Sequence, residues 1–242
     1  MRVSVRLFAG AAEAVGARQL ELELAGGSTA GQLLDRLLEE HPALSRFGPS
    51  LLLAVNRRYA GRDAHLADGD EVALIPPVSG GSEGDPPAER LRTAQPLALE
   101  PVGDGGWYAL GDGELPVAQC SARVQAPGMG AVVLFLGTVR DRSDGQEVVA
   151  LDYEAYEPMA RQELAGLVER ALRRWPESRV ALAHRLGRLK VGEPSVVIAV
   201  ASPHRAEAYE ESRFLIEEIK SVVPIWKREI HPDGSGAWVH HA

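Results

Sequence analysis

Lysine is nearly missing from this 242-residue chain. Of its 26 Lys and Arg residues only Lys190, Lys220 and Lys227 are lysines, and the first 189 residues hold none. Arginine serves wherever a plain positive charge is wanted, so each lysine is informative. Cysteine is scarcer still. Cys120 stands alone, which excludes an internal disulfide and any thiolate metal cluster. No apolar run nears the roughly 18–20 residues needed to cross a bilayer. The opening "MRVSVRLFAG" alternates like a strand, not like a signal peptide, so a cytoplasmic location is expected. Formal net charge is −8, which argues against nucleic acid or an anionic membrane as partner and leaves only a local basic pocket open. Hydrophobic residues at 45% predict a packed core rather than disorder.

Residues 1–81 read as one small domain. Val3, Val5 and Leu7 alternate, and so does "QLELEL" (19–24), giving two strands. Ser28 or Thr29 can cap a helix whose Ala30, Leu33, Leu34, Leu37 and Leu38 form one apolar stripe. "LLLAV" (51–55) and "EVALI" (71–75) are apolar strands bounded by turn residues. The order β-β-α-β-β is that of a ubiquitin-like β-grasp, a helix on one face of a mixed sheet. The domain closes on "PPVSGG", ending at Gly80-Gly81.

Residues 82–104 are rich in Pro, Gly and acidic side chains without a sustained period, and read as a linker. As a flexible chain it has an end-to-end distance of roughly 25–29 Å. Residues 105–242 form a second α+β domain. "GAVVLFLGTVR" (130–140) predicts a buried strand and "EVVALDYEAY" (147–156) a second. A helix carries Leu164, Leu167, Val168, Ala171, Leu172 and Trp175 on one stripe. Two strands follow, then a helix over about 203–222 stopped by Pro224, then the short strand "IWKREI".

Several residues can carry chemistry. In "SPHRAEAYEE", Ser202 suits an N-cap and Pro203 the first helical position, which puts His204 and Arg205 in the first turn. That is either a phosphate cradle or a solvated helix start. Arg140 and Arg142 end the 130–140 strand and are either anion ligands or a surface pair. Lys220 and Lys227 lie seven residues apart across Pro224. Arginine would serve a helix C-terminus equally well; only lysine loses its proton near neutral pH when desolvated or crowded by cations. Both are candidates for proton transfer or covalent chemistry. Lys190 reads as exposed in a turn, and Cys120 as a small buried hydrophobe.

With these residues in view, the chain resembles a fused molybdopterin synthase. Residues 1–81 are similar to the small, ubiquitin-like sulfur-carrier subunit, through "RLFAGAAEAVG", "AVNRRYAGRDAHLADGDEVALIPPVSGG" and the closing Gly-Gly. Residues from about 106 are similar to the large catalytic subunit, through "GAVVLFLGTVRDRSDGQEVVALDYEAYEPMA", "AHRLGRLKVGE" and "ASPHRAEAYEESRFLIEEIKSVVPIWKRE". The resemblance implies an α/β-hammerhead-like fold for the second domain. It implies sulfur transfer from a C-terminal glycine thiocarboxylate to cyclic pyranopterin monophosphate, forming the dithiolene of molybdopterin, with no metal or cofactor. Lys220 becomes the main catalytic lysine and Lys227 the second. Thr138, Val139, Arg140, His204, Arg205, Arg228 and Glu229 become substrate-pocket residues; Thr138 departs from relatives that carry a basic residue there. Implied partners are an adenylating and sulfurating enzyme, a processing protease acting after Gly81, and a second copy joined through the catalytic domain. The alternatives are an uncut carrier domain acting as a docking or regulatory module, and a carrier serving another thiolation pathway.

Overall fold

The computed structural model describes residues 1–77 and 95–239. Gly80, Gly81 and most of the expected linker lie outside the described residues. The chain divides into two compact units, Met1–Gly84 with Gly236–Ala242, and Asp85–Ser235. Among the described residues no helix is long and apolar enough to cross a membrane.

The first unit is a five-stranded sheet under a helix. Its elements are β1 (Arg2–Leu7), α1 (Ala9–Val15), β2 (Gln19–Glu23), α2 (Ala30–Glu40), β3 (Leu52–Val55), β4 (Arg58–Ala60) and β5 (Glu71–Ile75). The sheet order is β2-β1-β5-β3-β4. β1 runs antiparallel to β2 and parallel to β5, the mixed pairing of a β-grasp. Thr29 caps α2: its hydroxyl accepts from the Gln32 N–H, and Gln32 Oε1 accepts from the Thr29 N–H (2.9 Å). The helix buries Leu33, Leu34 and Leu37 against Val3, Val5, Leu53, Val72 and Leu74. Two elements go beyond the expected order. Short α1 has no apolar stripe to announce it, and β4 returns from β3 through Asn56 and Arg57, both at positive φ (50° and 67°).

The second unit contains β6 (Glu100–Val102), β7 (Gly106–Gly111), α3 (Val117–Val124), β8 (Ala131–Thr138), β9 (Arg142–Ser143), β10 (Gln146–Glu147), β11 (Ala150–Ala155), α4 (Glu157–Arg174), β12 (Arg179–Arg185), β13 (Gly187–Lys190), β14 (Pro194–Ser202), α5 (Arg205–Val222) and β15 (Ile225–Ile230). The last strand is β16 (Gly236–Trp238), which the division into compact units places with Met1–Gly84. β6 narrows the expected linker from its C-terminal side. One sheet has the order β6-β7-β12-β14-β8, and another contains β13-β11-β15. α4 and α5 cover one face of the five-stranded sheet through Leu164, Leu167, Leu215 and Ile219; α3 covers the other through Cys120 and Val124. β14 sits between two strands and two layers, which is why "SVVIAVAS" reads as an unbroken apolar run. β8 is an edge strand that alternates exposed and half-buried, so the fully buried strand expected at 130–140 is not found.

Cys120 is fully buried, and burial pushes its thiol up to about 12, which makes it an inert core residue. A second buried group is less ordinary. Glu211 on α5 has no solvent exposure and lies 2.9 Å from the Ser178 hydroxyl, which also sits 2.8 Å from the Trp175 carbonyl. Ser178 has one proton and the carbonyl can only accept it. The Ser178 hydroxyl, placed to donate to Glu211 Oε1 as well, has to share that proton between two acceptors unless Glu211 is itself protonated. Burial raises its pKa from 4.5 to about 8. The folded chain then holds a proton that the unfolded chain has released, so stability falls as pH rises from about 4.5 to about 8. Glu211→Gln keeps a donor toward Ser178 and cannot ionise. Its melting temperature should exceed the parent's at pH 8, with the gain shrinking toward pH 4.5 in a thermal-melt series. An equal offset at both pH values would refute the assignment.

Candidate active site

β15 places the second lysine. Pro224 cannot continue α5, and the chain turns at Val223 to enter the strand. Along β15 side chains alternate faces: Trp226, Arg228 and Ile230 are buried, while Ile225, Lys227 and Glu229 are half-buried. The strand runs antiparallel to β11 with Tyr153 opposite Lys227, Asp152 opposite Arg228 and Leu151 opposite Glu229. Lys227 and Glu229 therefore share one face with Tyr153 and Leu151.

Burial holds the Lys227 ammonium below the usual lysine value. Glu229 opposes the shift, Arg140 and Lys220 reinforce it, and Asp144 opposes it. These electrostatic neighbours define the site: a lysine on β15, a lysine in the last turn of α5, an arginine just past β8, and two carboxylates. Lys220 itself is exposed. Of the two lysines, Lys227, the one implied as secondary, is the more buried.

The strand end "TVR" splits its roles. Thr138 and Arg140 are exposed, whereas Val139 is 2% exposed and packs with Val148, Leu151 and Leu189. The Val139 N–H donates to the Glu193 carbonyl (3.0 Å), and its carbonyl accepts from the Gly192 N–H (2.9 Å). Val139 anchors Arg140; it does not present a free group.

Two expectations shift here. Arg228 is 1% exposed and faces away from Lys227, on the side where Arg188 makes a bidentate pair with Asp152 (3.0 and 2.9 Å). The structure does not bring its side chain to the lysines. His204 is the cap of α5 and Arg205 its first residue, so Ser202 is not the N-cap; it ends β14 and is buried. His204 and Arg205 are exposed at the start of an 18-residue helix, and Lys220 is near its end. At 1.5 Å per residue the two groups lie about 23 Å apart along the helix, too far to meet one small substrate in a single copy.

Two residues beside the site give no signal in the sequence. Asp144 lies in the turn between β9 and β10, at φ 46° ahead of Gly145 at φ 82°, and reads only as turn chemistry. Tyr153 looks like one more alternating strand residue until the register places it across from Lys227.

The comparisons with known proteins divide the chain as its cores do. A family model described as ThiS family matches residues 5–81, and one described as MoaE protein matches residues 110–222. The molybdopterin synthase catalytic subunit of Halalkalibacterium halodurans is 46% identical over 132 residues, covering 54% of this chain and 84% of that protein. That of Bacillus subtilis is 48% identical over 117 residues, covering 48% of this chain and 74% of that protein. The crystal structure of molybdopterin synthase from Staphylococcus aureus is 41% identical, covers 53% of this chain and 93% of that one, and superposes with a TM-score of 0.50. The chain belongs to the molybdopterin synthase catalytic subunit family, with a ThiS-family sulfur-carrier domain joined ahead of the catalytic one.

Proposed function

We propose that this chain makes molybdopterin from cyclic pyranopterin monophosphate, using sulfur carried as a thiocarboxylate on Gly81 after scission from Ser82. One observation carries the reading: two of only three lysines converge beside Arg140, in a chain that also carries its own sulfur-carrier domain. The substrate is anionic, and Arg140 with the two lysines is a cationic pocket for it. Lys227, partly desolvated, is the group suited to exchange a proton or to form a covalent adduct; Lys220 neutralises charge that develops on the substrate. Domain limits of 1–81 for the carrier and 105 onward for catalysis follow from the same reading. A separate adenylating and sulfurating enzyme charges the carrier, and a protease releases Gly81.

A second copy of the chain completes the pocket. His204 and Arg205 cannot reach Lys220 within one copy, so a partner's helix start has to supply them. The exposed stripe Val132, Leu134 and Leu136 on edge strand β8, each between 41% and 43% exposed, offers the contact. Leu134→Asp places a charge in the middle of that stripe. It should turn a dimer into a monomer by sedimentation and lower product formation with it; a variant that still sediments as a dimer would rule out this face.

The experiment for the reading as a whole is intact-mass analysis of protein from its native host. It should show a fragment ending at Gly81, heavier by the exchange of one oxygen for sulfur. Full-length chain alone, inactive in a sulfur-transfer assay, would overturn it.

A further inference from the structure

β14 opens with a bulge. Pro194 pairs with Thr138 and Val196 with Gly137, so Ser195 is the extra residue on its strand. Its side chain is turned inward, 4% exposed, and its hydroxyl donates to the Gly137 carbonyl (3.2 Å). The Tyr153 side chain hydrogen-bonds to Ser195. Ser195 thus holds both the Tyr153 side chain and the Gly137 carbonyl. The result is a hydrogen-bonded relay that joins Tyr153 through Ser195 to the Gly137 carbonyl.

Both ends of the relay meet the active site. Tyr153 stands opposite Lys227 in the β11–β15 register. Gly137 leads directly into Thr138, Val139 and Arg140. Lys227 on β15 and the strand β8 that leads into Arg140 belong to different sheets, and the relay crosses between them. Its surroundings leave it little play. The His184 ring meets Tyr153 edge-on at 5.0 Å and 73°. His184 is buried, and its Nδ1 lies 2.8 Å from the Arg185 carbonyl, so that nitrogen holds the proton. A Cβ at Gly137 would lie 2.6 Å from Val196 Cγ1, so only glycine lets β8 approach the bulge this closely.

We propose that Tyr153 and Ser195 are positioning residues that pin the Lys227 strand to the strand end bearing Arg140, and so fix the spacing of the two cations. This rests on the reading that Lys227 and Arg140 serve one site. Lys227 is faced by Glu229 from its own strand, Arg140 from the end of β8, Asp144 from the β9–β10 turn and Lys220 from α5. If the relay lets go, Arg140 moves off and one source of cationic crowding on Lys227 is lost.

The scarcity of lysine makes the test direct. Full-length chain labelled with 13C at the lysine ε-carbons gives three signals, and Lys227→Arg identifies the one that matters. Titrated by NMR, Tyr153→Phe should move the Lys227 midpoint up toward that of an ordinary lysine and leave Lys190 unchanged. Ser195→Ala should do the same, and the double variant should match either single one, because both break one relay. With the chain cut after Gly81 and charged, sulfur transfer should fall by about tenfold or more in all three, as misplacement of reacting groups costs at least that much. Should Tyr153→Phe fail to fold, Ser195→Ala carries the same expectation. An unmoved Lys227 midpoint in the folded variants, or two shifts that simply add, overturns the proposal. If the midpoints move but even the parent, cut after Gly81 and charged, transfers no sulfur, the positioning role stands and the synthase reading is what fails.

Discussion

Lys227→Ala should cut product formation by about 100- to 10,000-fold, the range spanned by loss of one positioned proton-transfer group. The physical case is stronger for Lys227 than for its neighbour. Burial destabilises its ammonium, and Arg140 and Lys220 add to the effect. Such a lysine reaches the neutral, nucleophilic form at lower pH than an exposed one. Arginine cannot replace that property, because a guanidinium does not deprotonate at any relevant pH. Lys227→Arg should therefore be nearly as inactive as Lys227→Ala. Lys220 is exposed at a helix end, where a charge is the main contribution. Lys220→Ala should also abolish product formation, while Lys220→Arg should keep a measurable fraction. The measurement is single-turnover conversion of cyclic pyranopterin monophosphate with charged carrier, alongside thermal melts to confirm the fold. Activity within twofold of the parent in Lys227→Ala removes it from the chemistry. Full activity in Lys227→Arg leaves it only an electrostatic role. The pH profile supplies the sign. If the neutral amine acts, the rate rises with pH through the depressed Lys227 pKa and flattens above it; if the ammonium acts as the acid, the rate falls through the same value.

The fold was readable where burial and periodicity coincide. The α2 stripe, its Thr29 cap and the longer strands β1, β2, β3, β5, β8, β11, β12, β14 and β15 follow from alternation or from unbroken apolar runs, whereas β7 and the short strands do not. Reading failed where a residue's meaning depends on a neighbour distant in sequence. β8 and β14 are both apolar runs, and nothing local says that β8 lies at the sheet edge with Leu134 in solvent. Ser202 has the composition of a helix cap, yet β14 continues through it because its partner Ala131 on β8 is there to pair with. The site divided in the same way. Lys220 and Lys227 stood out by rarity, and Arg140 by motif. Arg228 seemed equivalent to its neighbours until strand alternation put it on the far face beside Asp152. Tyr153 and Ser195 had no local signature, since a register and a bulge give them their place.

A chain that stays joined at Gly81–Ser82 should make no product, and this second expectation is absolute rather than graded. Activation of a carrier requires a free α-carboxylate for adenylation and replacement of one oxygen by sulfur. A peptide bond to Ser82 offers neither. Ser82→Pro leaves Gly80 and Gly81 unaltered but converts the junction to a tertiary amide that lacks the N–H and has restricted geometry on both sides. This chain should remain full length in the native host and give product only at the background level. The same two parts co-expressed as separate chains, 1–81 and 82–242, should restore product. Each part has a hydrophobic core of its own, so the split leaves both cores intact. Gly80→Ala or Gly81→Ala in the two-chain form should slow transfer, since a Cβ on the tail obstructs a narrow channel that two glycines can thread. These outcomes separate the competing roles of the carrier domain. Turnover by an intact, uncut Ser82→Pro chain would show that sulfur reaches the lysines without Gly81 ever becoming a terminus. In that case the first domain docks or regulates, and the sulfur comes from a separate carrier. Product only from cut or split chains makes the Gly-Gly junction a maturation site, with the lysine pocket waiting for the tail it releases.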